Sequence, residues 1–195
     1  MQPDALKIDA KPKLNKPVMI LGLSGWMDGG DVSTGTIDWL ITTLGARAFA
    51  QIDPEDFYIY NFPGSMEVSA LFRPHIKIED GLIESFEPPA STFSCDERHN
   101  LVLFKSQEPN LNWHRYADCV FALAAHVGVS MIYFVGSVAG LVPHTRAPRL
   151  FCAVSDPELK APLEKCGVKP TNYEGPGSVV TFLMTEADRR GLGMA

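Results

Sequence analysis

The glycine-rich segment Gly22-Leu-Ser-Gly-Trp26 is the first place in the sequence where a catalytic nucleophile could sit. A serine at the centre of G-x-S-x-G lies on a sharp strand-to-helix turn, which is how α/β hydrolases expose a reactive hydroxyl. Here Trp26 stands where the second glycine is required, so Ser24 is not predicted to be a nucleophile. The segment also lacks the lysine of a P-loop and the spacing of a dinucleotide-binding turn. We interpret it as a tight turn leading into a helix cap, where Asp28 and Asp31 would oppose the binding of a phosphate.

Four charged residues lie in predicted loops or at strand ends. They are Glu67, Arg73, Glu108 and Arg146. Strand ends in an α/β sheet often line a ligand crevice, so several of these side chains could converge with Asp28 on a nucleoside-like or nucleotide-like molecule. An ordinary solvated face or structural ion pairs is the favoured interpretation of the same residues, and the crevice is kept as an alternative hypothesis.

Histidines and cysteines show no metal-binding pattern. None of the five histidines stands in H-x-x-x-H or H-E-x-x-H spacing, and the four cysteines form no C-x-x-C pair. We therefore predict no metal and no cofactor, and we expect buried free thiols in a reducing compartment. His144 and Arg146 place an imidazole beside a guanidinium on one loop, which makes that loop a candidate binding element, although a histidine satisfied within its own loop is the simpler interpretation.

Composition is that of an ordinary globular protein. The chain has 195 residues, of which 46% are hydrophobic and 21% charged, and its net charge is -6. An acidic surface repels nucleic-acid phosphates and anionic lipids, so neither is a predicted partner. The polar start is unlike a signal peptide, and no apolar run approaches the ~20 residues of a membrane helix. These features predict a cytoplasmic protein.

Alternating strands and helices predict an α/β fold with one domain over residues 17–195, preceded by a polar leader over residues 1–16. The continuous apolar run 17–23 is typical of a strand buried on both faces. The helix after it is expected to be capped by Ser33 or Asp31. Strand and helix alternation requires a strand after the last helix. The sequence shows none there, so we expect the domain to be truncated at its C-terminus.

Turn and cap residues predict three further features. Glu79-Asp-Gly81 predicts the turn of a hairpin over residues 75–86. Asn110 and Ser178 are predicted to cap the helices that follow them. The side chains expected to pack in the core or in an interface include the three tryptophans, Trp26, Trp39 and Trp113.

Five segments, taken in order and spacing, resemble the prokaryotic relatives of proteasome assembly chaperone 2. They are LSGWMDGG at 23–30, RPHIKIEDG at 73–81, EPNLNW at 108–113, PHTR at 143–146 and YEGPGS at 173–178. The likeness extends over roughly residues 15–195. The candidate ligand-binding or family-motif residues are Trp26, Asp28, Glu67, Arg73, Glu108, Trp113, His144, Arg146 and Ser178.

The resemblance implies a three-layer α/β/α sandwich of the phosphorylase/hydrolase-like kind, with a mixed and mainly parallel sheet and a further C-terminal helical segment. It also implies homo-oligomers and, for the eukaryotic members, heterodimers that help to assemble the proteasome α-ring. Relatives that dock on proteasomes use a C-terminal hydrophobic-Tyr-X tail, whereas this chain ends Gly193-Met-Ala195. The ATP-grasp label sometimes attached to such proteins finds no matching nucleotide loop in this sequence.

The favoured hypothesis is therefore a chaperone-like protein that works through protein–protein contacts and homo-oligomerisation, without catalysis. Its expected partners are further copies of itself and another protein complex. The first alternative is an enzyme or small-molecule-binding protein that uses the crevice around Asp28, Glu67, Arg73 and Arg146. The second is an oligomeric domain whose ligand or partner lies elsewhere.

Overall fold

A computed structural model describes residues 2–140, 143 and 145–195 of the chain. The strands are β1 (Leu6–Ile8), β2 (Val18–Ser24), β3 (Arg47–Ile52), β4 (His75–Glu79), β5 (Leu82–Glu87), β6 (Ser91–Asp96), β7 (Leu101–Gln107), β8 (Met131–Phe134), β9 (Phe151–Cys152), β10 (Lys169–Pro170) and β11 (Gly193–Met194). The helices are α1 (Val32–Leu44), α2 (Met66–Ala70), α3 (Trp113–Val127), α4 (Lys160–Lys165) and α5 (Val179–Arg189).

Seven strands form the central sheet, in the order β1-β3-β6-β7-β2-β8-β11. The four strands from β7 to β11 pair in parallel. On the other side, β6 is antiparallel to β7, β3 to β6 and β1 to β3. Five of the seven strands consequently run in one direction, which confirms the predicted mixed, mainly parallel sheet.

The central strand β2 separates the two helical layers. Its residues Met19, Leu21 and Leu23 lie in the main core with α3 and α5, and burying each such side chain contributes about 1.5–3 kcal/mol. On the opposite face Gly22 lies under α1, where an added Cβ would stand 2.4 Å from Cγ1 of Ile37. A helix that approaches a strand this closely requires glycine at the crossing. The three-layer α/β/α arrangement is thus confirmed, with α1 on one face and α3 and α5 on the other.

The hairpin β4–β5 forms a separate two-stranded sheet beyond the central one. Asp80 and Gly81 make its turn with φ values of 49° and 77°. Two successive positive φ angles are those of the tight turn that suits the twist of a hairpin, and Asp-Gly adopts them readily. The predicted hairpin is confirmed.

Two sequence predictions about the helices and their neighbouring strands were wrong. A strand does follow the last helix: β11 pairs in parallel with β8. It was missed because two residues, one of them glycine, give no apolar run. Asn110 does not cap α3, whose N-cap is Asn112; the Asn110 side chain instead accepts the N–H of Ile59 at 3.2 Å.

The cysteines are free, as predicted, but only two of them are buried. Cys95 and Cys119 lie in the core, whereas Cys152 is half-buried and Cys166 is exposed. The apolar residues around Cys152 and Cys166 belong to short surface elements rather than to the central layers, so local hydrophobicity overestimated their burial.

The polar leader contributes one element to the sheet. Its strand β1 pairs with β3 at the sheet edge, and Leu6 is 3% exposed within the main core.

Candidate functional site

A cleft of about 560 Å³ opens where β2 and β7 end. These neighbouring parallel strands lead into helices on opposite faces, because β2 continues to α1 and β7 to α3. In open α/β sheets such a switch point leaves a crevice at the carboxyl ends of the strands. The cleft is lined by Ser24, Gly25, Ile59, Phe62, Phe72, Gln107, Glu108, Pro109, Asn110 and Trp113.

Glu108 connects three elements at the rim of this cleft. One carboxylate oxygen accepts the N–H of Trp26 at 3.0 Å, and the other accepts the N–H of Val179 at 2.8 Å. Val179 is the first residue of α5, and negative charge is favourable at a helix N-terminus. Gly25 has φ 133°, and a Cβ on it would lie 2.8 Å from the same carboxylate. The glycine therefore serves the close approach of Glu108 rather than a reactive serine.

Asp28 caps helix α1. Its Oδ1 accepts the N–H groups of Ser33 at 2.7 Å and Thr34 at 3.1 Å, and its Oδ2 accepts the Thr34 hydroxyl at 2.7 Å. The prediction that Ser33 or Asp31 provides the cap was wrong. Asp31 makes no side-chain cap bond, and the Ser33 hydroxyl accepts the N–H of Leu23 at 3.0 Å. Both carboxylate oxygens of Asp28 are thus hydrogen-bonded within the protein itself.

Ser178 caps helix α5, as predicted. Its hydroxyl accepts the N–H of Thr181 at 3.3 Å, and the Thr181 hydroxyl accepts the N–H of Ser178 at 3.0 Å. This reciprocal pair satisfies two backbone donors at the start of the helix. The Ser178 hydroxyl also lies 3.5 Å from the sulfur of Met27, which brings the cap against the turn after β2.

The tryptophans have different environments. Trp113 is half-buried, and its indole N–H donates to the carbonyl of Pro109 at 2.8 Å while its ring packs beside Phe182. Trp26 and Trp39 are 60% and 64% exposed, so neither packs in the core. An interface role for these two tryptophans stays a prediction.

The remaining candidates do not line the cleft. Glu67 lies on α2, where hydrogen bonds from the Ser65 hydroxyl and then from its own backbone lower the pKa of its carboxyl. Arg73 follows that helix, and its N–H donates to Ala70 at 3.2 Å. Arg146 is exposed in its loop. His144, also predicted as a candidate, lies outside the described residues.

Of the four residues assigned to the alternative crevice, Asp28 caps a helix and none lines the switch-point cleft. The structure instead brings together Trp26, Glu108, Trp113 and Ser178, with Asp28 at the adjoining turn. The carboxylates of Asp28 and Glu108, the indole N–H of Trp113 and the hydroxyl of Ser178 are all hydrogen-bonded to the protein's own backbone or side chains. Their arrangement fixes the local fold, and a shared nucleoside-like or nucleotide-like site is not favoured.

Sequence reasoning missed a buried cluster of hydroxyl groups below the cleft. Ser91 and Ser106 lie opposite each other in β6 and β7, 2.7 Å apart, and both contact the hydroxyl of Tyr116. Tyr58 donates to the carbonyl of Gln107 at 2.8 Å. Burial raises the pKa of Tyr116 well above its usual range. The signal that could have indicated this cluster was Ser106, which follows Val102 and Phe104 at every second position of β7 and so shares their buried face.

Within the described residues, no group of three or more His, Cys, Asp and Glu side chains is arranged to hold a metal ion. In the same part of the chain, no helix has the length and apolar content needed to cross a membrane.

The fold and the site define a three-layer α/β/α protein. The polar side chains at its switch point stabilise turns and helix N-termini by hydrogen bonds. The chain belongs to the PAC2 family, whose model matches residues 22–195. This confirms the resemblance found from the five sequence segments. A comparison with curated protein sequences found no match.

Solved structures of other proteins are similar to this chain over nearly all of its length. A proteasome-assembly chaperone homologue of Mycobacterium tuberculosis is 25% identical, with a TM-score of 0.78 over 91% of this chain and 72% of its own. A PAC2 family protein of Streptomyces avermitilis is 25% identical with a TM-score of 0.71, and the same shares are covered. An archaeal proteasome activator of Pyrococcus furiosus is 19% identical with a TM-score of 0.64, covering 100% of this chain and 78% of its own; this last likeness concerns the fold alone.

Proposed function

We propose that this protein is a chaperone-like member of the PAC2 family that acts by binding other protein chains, in the cytoplasm and without catalysis. Family membership and the likeness to a proteasome-assembly chaperone homologue support a role in the assembly of a multisubunit complex. Proteasome subunits are the partner class that these relatives point to.

The observation that carries this proposal is an unusual concentration of exposed apolar side chains in one segment. Of the nineteen large hydrophobic residues exposed in the described part of the chain, ten fall within residues 60–86. They are Tyr60, Phe62, Met66, Val68, Leu71, Ile76, Ile78, Leu82, Ile83 and Phe86. A concentration of exposed apolar side chains of this kind supports a protein interaction site in this segment.

The two most exposed of these residues flank helix α2. Met66, its first residue, is 87% exposed, and Leu71, which follows its last residue, is 78% exposed. Long apolar side chains that stand in water cost free energy until a partner covers them. Their position beside the cleft, through Phe62 and Phe72, would place a bound chain at the carboxyl edge of the sheet.

The test is reconstitution with purified proteasome α and β subunits from the same source. We expect the protein to bind these subunits and to increase the yield of rings or complete particles, measured by native mass spectrometry and by peptide hydrolysis. Replacing both Met66 and Leu71 with serine should abolish this effect, whereas Val138→Ser, at an exposed apolar residue after β8, should retain it. Absence of binding to subunits and to the assembled particle would overturn the proposal.

A further inference from the structure

The cleft at the ends of β2 and β7 offers no partner for a charged ligand. Among the ten described residues that line it, Glu108 is the only ionisable one. Its two carboxylate oxygens already accept the N–H groups of Trp26 at 3.0 Å and Val179 at 2.8 Å. A charge that leaves water for a pocket needs a partner of opposite sign, and these ten residues include no cation. The ligand that fits this cleft is therefore uncharged.

Aromatic side chains form part of the cleft wall. Phe62 and Phe72, which lie before and after α2, stack with ring centroids 5.0 Å apart and an interplanar angle of 17°. Trp113 also lines the cleft, and because its indole N–H donates to the carbonyl of Pro109, it offers a ligand only ring surface. Aromatic rings pack favourably on one another in offset-stacked or edge-to-face arrangements. This wall is therefore suited to a ligand that carries an aromatic ring.

Neutral hydrogen-bonding groups complete the lining. Ser24 and Gln107 lie opposite each other at the last residues of β2 and β7. The carbonyl of Gln107 accepts the hydroxyl of Tyr58, whereas the side chains of Ser24 and Gln107 form no hydrogen bond to another described residue and are not buried. Asn110 uses its side-chain oxygen on the N–H of Ile59, which leaves its NH₂ group as a donor. These groups match a ligand with a neutral polar atom beside its ring.

The cleft adjoins the exposed apolar segment over residues 60–86. Phe62 belongs to that segment and also lines the cleft, and it is 44% exposed. Phe72 lines the cleft one residue after the strongly exposed Leu71. A protein chain that covers this segment would therefore bring its own side chains to the mouth of the cleft. Tyrosine and tryptophan combine a ring with one polar group that is uncharged at neutral pH, and both are common anchors in protein interfaces.

We propose that this cleft is a pocket for one tyrosine or tryptophan side chain of the bound protein chain. The ring of that residue packs on Phe62, Phe72 and Trp113, and its hydroxyl or indole N–H bonds to the neutral groups of Ser24 and Gln107. The cleft volume of about 560 Å³ lies within the roughly 300–1,000 Å³ of ordinary ligand pockets. This inference rests on the proposed function for the source of the ring, a protein partner, whereas the chemistry of the pocket depends on its lining alone.

Titration of the whole, isotopically labelled chain with uncharged amino-acid amides, followed by heteronuclear NMR, tests the pocket directly. The probes are N-acetyltryptophanamide and N-acetyltyrosinamide, which carry the proposed side chains between two peptide groups. We expect saturable shifts of the indole N–H of Trp113 and of the side-chain NH₂ groups of Gln107 and Asn110, with a Kd of about 0.1–1 mM for ligands of this size. N-acetylleucinamide, which has no ring, should bind at least about tenfold more weakly.

Two variants and one control assign the binding to the cleft. A double variant with Phe62→Leu and Phe72→Leu removes both rings but keeps apolar side chains, and it should bind N-acetyltryptophanamide at least about fivefold more weakly. Gln107→Met keeps the length of the side chain without its hydrogen-bonding groups, and it should weaken binding about threefold to tenfold. Phe151→Leu, at a phenylalanine that is 56% exposed in β9 and does not line the cleft, should bind like the wild type. Circular dichroism and thermal melting establish that each variant is folded.

Four outcomes would overturn the proposal. The first two are the absence of saturable shifts at the cleft residues and equal affinities for the leucine and tryptophan amides. The third is a Gln107→Met variant, or a folded double variant, that binds like the wild type. The fourth is tighter binding of adenosine than of either aromatic amide, which would make the cleft a site for a free small molecule.

Failure of this pocket is distinguishable from failure of the proposed function, because the reconstitution assay varies Met66 and Leu71, which do not line the cleft. If the amides do not bind while proteasome subunits do, only the pocket is overturned. If the amides bind while proteasome subunits do not, only the proposed partner class is overturned.

Discussion

The carboxylate of Glu108 is hydrogen-bonded to the backbone N–H of Val179 at 2.8 Å, across 71 positions of sequence. Its other oxygen accepts the N–H of Trp26 at 3.0 Å. One side chain thereby joins the end of β7 to the turn after β2 and to the first residue of α5. The sequence pattern EPNLNW contains this glutamate for a structural reason.

Replacing Glu108 with glutamine should destabilise the protein. The amide keeps one acceptor oxygen but turns an NH₂ group toward the second backbone N–H, which leaves a donor unsatisfied at a cost of about 1–3 kcal/mol. The free energy of unfolding in urea measures this loss. Glu174→Gln, at an exposed loop residue, is the control and should change stability by less than about 0.5 kcal/mol. Equal effects of the two changes would contradict the assigned role.

Asp28 and Asp31 should respond differently to the same substitution. Asp28→Asn leaves a single acceptor for the donors of Ser33 and Thr34, and loss of a helix cap costs about 1 kcal/mol. Asp31→Asn should be nearly neutral, because Asp31 makes no cap bond and asparagine tolerates its φ of 55°. Chemical denaturation compares the two. A larger loss at Asp31 would show that the cap has been assigned to the wrong carboxylate.

Gly22→Ala should be among the most damaging single-methyl changes. The new Cβ would stand 2.4 Å from Cγ1 of Ile37 and 2.7 Å from the backbone oxygen of Ser33. Because α1 would have to move away from the sheet, we expect a loss of about 1–3 kcal/mol, as for other overpacked cores. In contrast, Gly35→Ala on the same helix meets no atom within 4 Å and should raise stability by up to about 1 kcal/mol. Thermal melting of both variants checks the opposite signs.

The hydroxyl cluster predicts a cost for Tyr116→Phe. The change removes the group that bonds the hydroxyls of Ser91 and Ser106, and all of these atoms are buried. We expect the free energy of unfolding to fall by about 1–3 kcal/mol. Tyr133→Phe, at a half-exposed tyrosine in β8, is the matched control and should be close to neutral. A neutral result at Tyr116 would mean that the cluster contributes nothing to stability.

Stability should fall in alkali because of Cys119. Burial, and secondarily the charge of Asp118, raises the pKa of this thiol from 9.0 to about 11. Above pH 9.0 the unfolded chain releases the proton while the folded protein keeps it, so the free energy of unfolding decreases with a slope of up to about 1.4 kcal/mol per pH unit. This contribution stops changing above the folded pKa. Urea denaturation from pH 8 to 11 measures it.

The control for this pH dependence is the exposed thiol Cys166. Cys119→Ala should reduce the alkaline slope without abolishing it, because burial also raises the pKa values of Cys95 and Tyr116. Cys166→Ala should leave the slope as in the wild type. Identical slopes in the wild type and both variants would show that the Cys119 thiol ionises alike in the folded and unfolded chains.

The elements predictable from the sequence were those whose signal is local. The apolar run of β2, the Asp-Gly turn of the hairpin and the Ser178 cap each depend on a few neighbouring residues. By contrast, β11 exists only because β8 offers it a partner, and the roles of Asp28 and Glu108 depend on where distant backbone N–H groups lie. The Ser91–Ser106 pair likewise requires the register of β6 and β7. Such long-range relationships leave no pattern in a single sequence.

The predictions of site residues likewise succeeded where the signal was local and failed where it depended on the fold. Ser178 was correctly predicted as a cap, whereas the crevice around Asp28, Glu67, Arg73 and Arg146 grouped residues that the fold uses separately. The exposure of residues 60–86 was also missed, because apolar side chains in a strand pattern normally indicate a buried sheet. Here the pattern belongs to a hairpin outside the central layers.

The strand β1, at one edge of the central sheet, is only three residues long. At that edge of the main sheet, Leu6–Ile8 exposes very few free backbone groups to an incoming chain. The hairpin strands, five and six residues long, have open flanks on both sides. An extended peptide that pairs with a strand of this protein would therefore find more free backbone groups on the hairpin than at this edge of the central sheet. Strand addition at the hairpin would leave the packing of the core unchanged.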